Sequence, residues 1–110
     1  MAGSYELNMN NEGQHTFVLK AGNGEVILRS EQYESKESAE SGIASVQENS
    51  RLEERYDRRD AVDGTWYFNL KAANHKVIGT SQMYKSAAGR DTGVESVKTN
   101  GPSTAITVDG

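Results

Sequence analysis

The chain has 110 residues, its formal net charge at pH 7 is −4, and 35% of its residues are hydrophobic. A chain of this length forms one domain, and this composition, close to that of ordinary globular proteins, excludes a wholly disordered chain. The net negative charge excludes a cationic field over the whole molecule of the kind that attracts nucleic acid or anionic lipid. Only local basic patches could do so.

The sequence also predicts a cellular compartment. It contains no cysteine, which excludes disulfides and thiolate metal sites and fits a reducing environment. The first residues, MAGSYELNMNNEG, lack the basic and apolar regions of a secretory signal. No later stretch approaches the roughly 20 apolar residues of a membrane span. We therefore expect a cytoplasmic protein without a membrane partner.

The first predicted elements are a strand at residues 5–9 and a β-hairpin that follows it. In the hairpin, apolar residues alternate up to AGNGE and resume directly after it. Asn23 and Gly24 both tolerate positive φ, so this dipeptide predicts a two-residue type I′ turn. Counting outward from such a turn gives the expected core-facing pairs, which are Ala21 with Val26, Leu19 with Leu28, and Phe17 with Ser30.

The next predicted element is a helix with Ser35 as its N-cap. Small and apolar residues recur with the i, i+3, i+4, i+7 spacing of one buried helical face at Ala39, Gly42, Ile43 and Val46. Since a glycine inside a helix costs about 1 kcal/mol relative to alanine, Gly42 predicts a close approach of the helix backbone to the sheet. Asn49 suits the left-handed position just past the helix end.

The same elements recur in the second half of the chain. A shift of 51 residues aligns residues 5–49 with residues 56–100 without a gap, and 16 of those 45 positions are identical. The second hairpin turn reads Asn74-His75, and we expect it to be strained because histidine replaces glycine. The predicted N-cap and end of the second helix are Ser86 and Asn100.

Strand-like segments follow the two helices at residues 55–60 and 105–109. The first is charged on both faces, which suits a sheet edge and discourages aggregation. The element order is therefore β, ββαβ, ββαβ. It predicts an α+β fold with one antiparallel sheet and both helices on one face. The tandem ββαβ-type repeats, about 5–54 and 56–105, form a single domain over residues 1–110.

The repeated pattern is Phe-x-Leu-Lys-Ala-x-Asn-(Gly)-x-Val-Ile-x-x-Ser-x-x-Tyr-x-Ser, followed by Gly-Ile/Val-x-Ser-Val-x-x-Asn. It resembles the YegP family of small bacterial proteins over nearly the whole chain, with residues 1–4 outside the resemblance. The resemblance implies two β(3)αβ units that form a single sheet and exchange their C-terminal strands, with the exchange expected at residues 55–60. Because the family is uncharacterised, it implies no catalytic residues. Three departures question the equal packing of the copies: His75 for Gly24, Gly79 for Leu28, and Arg90 for Ala39.

Duplication offers an internal test for functional residues, because a site of the ancestral unit should recur after 51 residues. The shared polar residues without a predicted turn or capping role are Lys20 and Lys71, Ser30 and Ser81, Tyr33 and Tyr84, and Ser45 and Ser96. The two histidines fail the test, since His15 aligns with Trp66 and His75 with Gly24. We therefore predict no catalytic residue, metal ligand or cofactor site.

The leading hypothesis is a non-catalytic tandem-repeat module that binds a protein or another macromolecule through the helix-free face of its sheet. The predicted register places on that face, among others, the candidate interaction residues Lys20, Ile27, Arg29, Lys71 and Ile78. Exposed apolar residues grouped with cations favour an interface, although a solvated sheet face also explains them.

Two alternatives remain. A nucleic-acid-binding protein would use Arg55, Arg58 and Arg59 with neighbouring aromatic residues, but acidic residues interleave with these arginines and make this partner unlikely. A small enzyme or ligand-binding protein would use Tyr33 and Tyr84 as equivalent ligand contacts. The sequence allows either a monomer or a strand-exchanged dimer.

Overall fold

The computed structural model describes residues 3–109. The strands are β1 (Ser4–Met9), β2 (His15–Lys20), β3 (Val26–Arg29), β4 (Tyr56–Asp60), β5 (Trp66–Lys71), β6 (Val77–Thr80) and β7 (Ile106–Asp109). The helices are α1 (Lys36–Asn49) and α2 (Ala87–Asn100), and a short 3-10 helix covers Glu53–Arg55. Within this part of the chain, no helix is long and apolar enough to cross a membrane.

All seven strands belong to one sheet, in the order β4-β5-β6-β3-β2-β1-β7. Neighbouring strands are antiparallel except β1 and β7, which run parallel. The predicted α+β class and tandem repeat are confirmed, but the sheet is mixed and not wholly antiparallel. β7 reaches the β1 edge through the long connection containing α2, so no tight turn forces it to run antiparallel to its neighbour.

The predicted exchange of strands between the repeats takes place within the single chain. β7 follows the helix of the second repeat, yet it pairs with β1 of the first, with Tyr5 opposite Ile106 and Leu7 opposite Val108. β4 follows the helix of the first repeat and pairs with β5 of the second. The strand after each helix therefore lies beside strands of the other repeat.

The turn between β2 and β3 is longer than predicted. The N–H of Gly24 donates to the carbonyl of Ala21 at 2.9 Å, and the N–H of Ala21 donates to the carbonyl of Glu25 at 2.8 Å. Gly24 has a φ of 86°. This is a three-residue loop with an adjoining bulge, and the predicted two-residue type I′ turn is wrong. His75 takes the place of Gly24 between β5 and β6 with a φ of 70°, so the expected backbone strain is confirmed.

The longer turn changes the register of the hairpin. Leu19 lies opposite Leu28, as predicted, but Val26 lies opposite Lys20, one residue earlier than predicted. Ile27 is the extra residue of the bulge. The same shift occurs in the second repeat.

Both helices pack against the same face of the sheet and bury one hydrophobic core between them and the strands. The fully buried members with the largest side chains are Tyr5, Phe17, Phe68, Leu7, Leu19, Leu28, Ile43 and Leu70. The hydroxyl of Tyr5 donates to the carbonyl of Gly101 at 2.6 Å. Its equivalent, Tyr56, donates to the carbonyl of Ser50 at the same distance. Each tyrosine thus fastens a strand to a helix C-terminus.

The helix N-termini agree with the prediction, whereas the C-termini do not. Ser35 and Ser86 cap α1 and α2 by accepting hydrogen bonds from backbone N–H groups of the first turn. Asn49 and Asn100 are the last helical residues, and the residue after each has right-handed backbone angles. The predicted left-handed caps are therefore wrong. The side-chain amide of Asn49 instead donates to the carbonyl of Ser45 at 2.8 Å, within the last turn of α1.

An approximate two-fold axis relates the repeats and passes between β3 and β6, where equivalent residues meet. A Cβ atom on Gly79 would lie 2.6 Å from Cδ2 of Leu28, its equivalent in the first repeat. A Cβ atom on Gly101 would likewise overlap the side chain of Ser50. Each pair combines a larger residue with glycine, which explains the departure at Gly79 as a requirement of packing on the axis.

Candidate functional site

The face of the sheet opposite the helices is uncovered by any other element of residues 3–109. One row of facing residues crosses all seven strands on this side, and in sheet order it is Asp57, Asn69, Thr80, Arg29, Val18, Glu6 and Thr107. Beside this row, Val26 faces Lys20 and Val77 faces Lys71. We call these side chains the open face.

Two predicted members of the interaction face lie elsewhere. Ile27 and Ile78 are only 5% and 6% exposed and belong to the hydrophobic core. The bulge in each hairpin turns them toward the helices, so their predicted placement on the open face is wrong. Val26 and Val77 take their place beside the lysines, and sequence reasoning missed both. The signal for them was the glycine in the third loop position of AGNGE, which is typical of a bulged three-residue turn.

Lys20 and Lys71 do lie on the open face, and each has a carboxylate partner. The Lys20 ammonium lies 2.8 Å from Glu6, and the Lys71 ammonium lies 3.5 Å from Asp57. Glu6 and Asp57 are themselves equivalent, so the cross-strand ion pair occurs in both repeats. The hydrogen bond from Lys20 lowers the pKa of Glu6, and Arg59 followed by Lys71 lowers the pKa of Asp57. The two lysines are therefore partly neutralised within the sheet.

Arg29 occupies the centre of the open face, next to the two-fold axis. It is exposed and lies opposite Thr80, its equivalent in the second repeat. No ion pair of Arg29 occurs among the described residues. A depression of about 190 Å³ lies beside it, bordered by Val77 and Thr80. This is the most accessible cation of the open face.

Two further concave sites, which we call the first and second grooves, lie on the helix side. The first groove has a volume of about 380 Å³ between α1 and the β5–β6 hairpin, and the second has about 170 Å³ between α2 and the β2–β3 hairpin. Each joins the helix of one repeat to the hairpin of the other. Every residue lining the first groove has its equivalent in the second, among them Tyr33 with Tyr84, Ser45 with Ser96, and Ile78 with Ile27. Duplication therefore preserved the grooves as a pair.

The predicted ligand contacts Tyr33 and Tyr84 border these grooves and are half-buried. The ring of Tyr33 stacks on Phe17, with centroids 6.1 Å apart and ring planes 14° apart. A Cβ atom on Gly42 would lie 2.5 Å from the Tyr33 hydroxyl. The close approach predicted at Gly42 is thus to the rings of Tyr33 and of Phe17 on β2, which the missing side chain accommodates. Burial raises the pKa of Tyr33, so its hydroxyl stays protonated at neutral pH.

The two grooves differ in charge at one equivalent position. The first is bordered by Lys76 and the second by Glu25, whose carboxylate accepts a hydrogen bond from Gln82 at 3.3 Å. A charged ligand that fits one groove is therefore disfavoured in the other. Sequence reasoning named the tyrosines, but it missed that each groove spans both repeats.

The shared serines have structural contacts that explain them. The Ser30 hydroxyl accepts a hydrogen bond from the Phe17 N–H at 2.8 Å and donates to the Glu31 carbonyl at 2.7 Å. Ser81 makes the equivalent pair of bonds. The Ser30 N–H also donates to the Phe17 carbonyl, which bears out the predicted pairing of those residues. Among residues 3–109, both hydroxyls bond only backbone groups and neither bonds a side chain that could act as a base.

The arginine cluster considered for nucleic acid is held by other side chains. Arg55 donates to the Asn49 side chain at 2.8 Å, and Arg59 donates to Asp57 at 2.7 Å. Arg58 is paired with Glu53 and Asp91. Arg58 and Arg59 are therefore paired with carboxylates, whereas Arg55 bonds a neutral amide and keeps its charge.

Neither histidine joins a chemical cluster. His15 lies at the start of β2, where its backbone pairs with that of Tyr33, and His75 lies in an exposed turn. Across residues 3–109, no group of three or more histidine, aspartate or glutamate residues is placed to hold a metal ion.

Fold and surfaces together define a class: a tandem-repeat α+β protein with one mixed sheet, an open face and paired grooves. The chain belongs to the family described as Domain of unknown function (DUF1508), whose sequence profile matches residues 10–57 and 61–107. It is 59% identical over 106 residues to the UPF0339 protein YegP of Escherichia coli K12, and the aligned region covers 96% of each chain.

Solved structures of relatives have the same fold. The solution NMR structure of E. coli yegP, described as a protein of unknown function, matches with a TM-score of 0.93 and 58% identity, covering 99% of this chain and 94% of that one. A UPF0339 protein from Shewanella oneidensis, also solved by NMR, matches with a TM-score of 0.92 and 56% identity, covering 98% and 92% of the two chains. These comparisons thus establish the family and the fold, and the descriptions of these relatives name no activity.

Proposed function

We propose that the protein is a non-catalytic binding module of the cytoplasm, and that its open face binds an acidic, partly apolar surface of another protein. The observation that carries this proposal is the open face itself: a sheet surface crossing seven strands, with Arg29 exposed at its centre and without an ion pair among the described residues.

The chemistry of the open face supports such a partner. A partner carboxylate would meet Arg29 at the centre, with the partly neutralised Lys20 and Lys71 on either side of it. Val18, Val26 and Val77 are each partly exposed between these cations and would contact apolar side chains of the partner. Charge complementarity sets orientation and rate of binding, while the apolar contacts supply affinity. A site that extends across seven strands also suits a protein better than a small molecule.

The test compares charge reversal at the centre of the open face with the same change elsewhere. The native protein, Arg29→Glu and Arg51→Glu serve as baits in the host lysate, and Arg51 is an exposed arginine outside the open face. The captured protein is then purified, its affinity for each variant is measured by calorimetry, and amide shifts map its site on the native chain.

We expect Arg29→Glu to weaken binding at least tenfold and Arg51→Glu to leave it unchanged. Equal affinities, or shifts mapped away from the open face, would refute the proposal. Loss of the captured material on nuclease treatment would favour the nucleic-acid alternative instead.

The preserved pair of grooves favours a second candidate, a small-molecule-binding role for the first groove. Its hydroxyl groups and the Lys76 ammonium suit a small anion-bearing ligand with an apolar part for Ile78. Screening small carboxylates by amide shifts, with Lys76→Glu as the variant and Glu25→Lys in the second groove as its counterpart, tests this role. Shifts at Ser41 and Ser45 that vanish in Lys76→Glu would support it, and shifts scattered over the surface would count against it.

A further inference from the structure

The two edge strands of the sheet, β7 and β4, differ in whether other side chains cover their free backbone groups. β7 forms one edge, and its inner side is paired with β1. The N–H of Tyr5 donates to the carbonyl of Ala105 at 2.8 Å, so Ala105 and Thr107 direct their backbone groups toward β1. Alternation along a strand then directs the N–H and carbonyl groups of Ile106 and Val108 outward. These four groups form the free edge.

Apolar side chains accompany this free edge. Ile106 and Val108 lie on the helix side of the sheet, opposite Tyr5 and Leu7, and are 45% and 52% exposed. Met9, at the end of the adjacent strand, is 50% exposed. These three are among only five large hydrophobic residues exposed in the described part of the chain. An uncovered apolar edge strand of this kind is a template for strand pairing.

The β4 edge, in contrast, carries charged side chains that prevent pairing with another strand. Arg58 occupies the position equivalent to Leu7 and points a charge toward the helix side, where it pairs with Glu53 and Asp91. Arg90 donates to the carbonyl of Arg59 at 3.3 Å. Inward-pointing charges and covered carbonyls prevent pairing at an edge. Residues 106–108 of β7 include no charged side chain that would prevent such pairing.

We propose that the β7 edge binds the β7 edge of a second copy of this chain, with the two strands antiparallel. Ile106 of each chain faces Val108 of the other, and the Thr107 residues face each other on the two-fold axis. Two seven-stranded sheets thereby become one continuous sheet. This pairing goes beyond the proposed function, because it uses neither the open-face cations nor the grooves.

Self-complementarity of the strand is the reason for choosing a second copy. In this register, the outward N–H and carbonyl of Ile106 meet those of Val108 in the partner, so all four free groups of each chain are satisfied. The exposed Ile106 and Val108 side chains cover each other, with Met9 close to the strip. An antiparallel pair of identical strands is also a closed two-fold arrangement, which stops at two chains.

The interface is short, so the association is weak. A specific, stable interface usually buries more than about 1,200 Å², which two paired four-residue strands do not reach. We therefore expect dimers to populate between roughly 0.1 and 1 mM protein, the range of weak transient complexes.

The test measures association of the full chain as a function of concentration. Sedimentation equilibrium and amide shifts are recorded from about 0.02 to 1 mM for the native protein, Val108→Lys and Met83→Lys. Met83 is a matched control because it is 56% exposed but lies in the β6–α2 connection. Val108→Thr serves as a milder second variant if the lysine disturbs folding.

We expect the native mass to rise toward that of a dimer, with the largest concentration-dependent shifts at the amides of Ile106 and Val108, which gain hydrogen bonds, and smaller shifts at Thr107, whose amide already faces β1. Val108→Lys should weaken association at least tenfold, and Met83→Lys should not. A constant monomer mass up to 1 mM, equal effects of the two lysine variants, or a strand-exchanged dimer that persists in Val108→Lys would each overturn the proposal.

Discussion

Tyr5 and Tyr56 occupy the same position in the two repeats and make the same hydrogen bond, but the bonds connect the chain differently. Tyr56 bonds a carbonyl 6 residues away, whereas Tyr5 bonds one 96 residues away, at the end of the other repeat's helix. The local environments have been kept while the connections between them have diverged. Equivalent substitutions should therefore have similar costs in stability but different consequences for the fold as a whole.

The strongest way to break the equivalence is to enlarge the small partner on the two-fold axis. Gly79→Leu places a second leucine against Leu28, where even a Cβ atom lies too close. We expect the free energy of unfolding to fall by about 3 kcal/mol, the upper range for overpacking a core. Urea denaturation measures it. The double variant Gly79→Leu/Leu28→Gly should recover most of the loss, and additive losses would contradict the account of the axis.

The tyrosine pair offers a direct comparison. Tyr5→Phe and Tyr56→Phe each remove a hydrogen bond to a buried residue's carbonyl, and each should cost about 1 to 2 kcal/mol. Only Tyr5→Phe should also speed amide exchange in β7, because Tyr5, unlike Tyr56, bonds the segment leading into that strand. Equal exchange rates in the two variants would show that the long-range bond does not hold β7 in place.

Alkaline pH should weaken both tyrosine contacts together. Burial raises the pKa of Tyr5 and Tyr56 above the ordinary value of about 10, so the folded state retains protons that the unfolded chain releases. Stability is then unchanged below about pH 10 and falls as pH rises further, because the unfolded state is favoured by losing those protons. Urea midpoints between pH 8 and 11 test this expectation. In the double variant Tyr5→Phe/Tyr56→Phe, stability should fall much less between pH 10 and 11 than it does in the native protein.

The smallest expected effect is at the strained turn. His75→Gly removes a side chain from a left-handed backbone conformation and should stabilise the protein by roughly 0.5 to 1 kcal/mol. The matched reverse change, Gly24→His, should destabilise it by a similar amount. Thermal unfolding of both variants suffices, and a loss of stability in His75→Gly would mean that the histidine makes a compensating contact.

Periodicity and the repeat sufficed to predict the element types, the helix N-caps and the tandem architecture. They failed where one backbone angle decides the outcome. The dipeptide Asn23-Gly24 fits a two-residue turn, but Gly24 alone takes positive φ, and the resulting bulge moves Ile27 from the open face into the core. The wrong turn therefore led to a wrong candidate site: the predicted register placed Ile27 and Ile78 beside the lysines, but the side chains there belong to Val26 and Val77.

The rest of the site depends on tertiary contacts that spacing does not encode. Local sequence gave no sign that β7 would run parallel to β1, or that Glu6 would reach Lys20 from a neighbouring strand. The two grooves arise only when the helix of one repeat meets the hairpin of the other. The helix-side and hairpin residues of each groove are 27 or more positions apart in sequence, as Ser45 and Ala72 illustrate.

The pairs on the two-fold axis have a consequence for how the two halves recognise each other. Identical subunits must place each axis residue against itself, so an assembly of first halves would oppose two copies of Leu28, and one of second halves would leave a gap between two copies of Gly79. In the single chain, the Leu28 side of one half is complementary to the Gly79 side of the other, and neither half is complementary to itself. If produced as separate polypeptides, each should prefer the other half over its own kind, as in an obligate heterodimer.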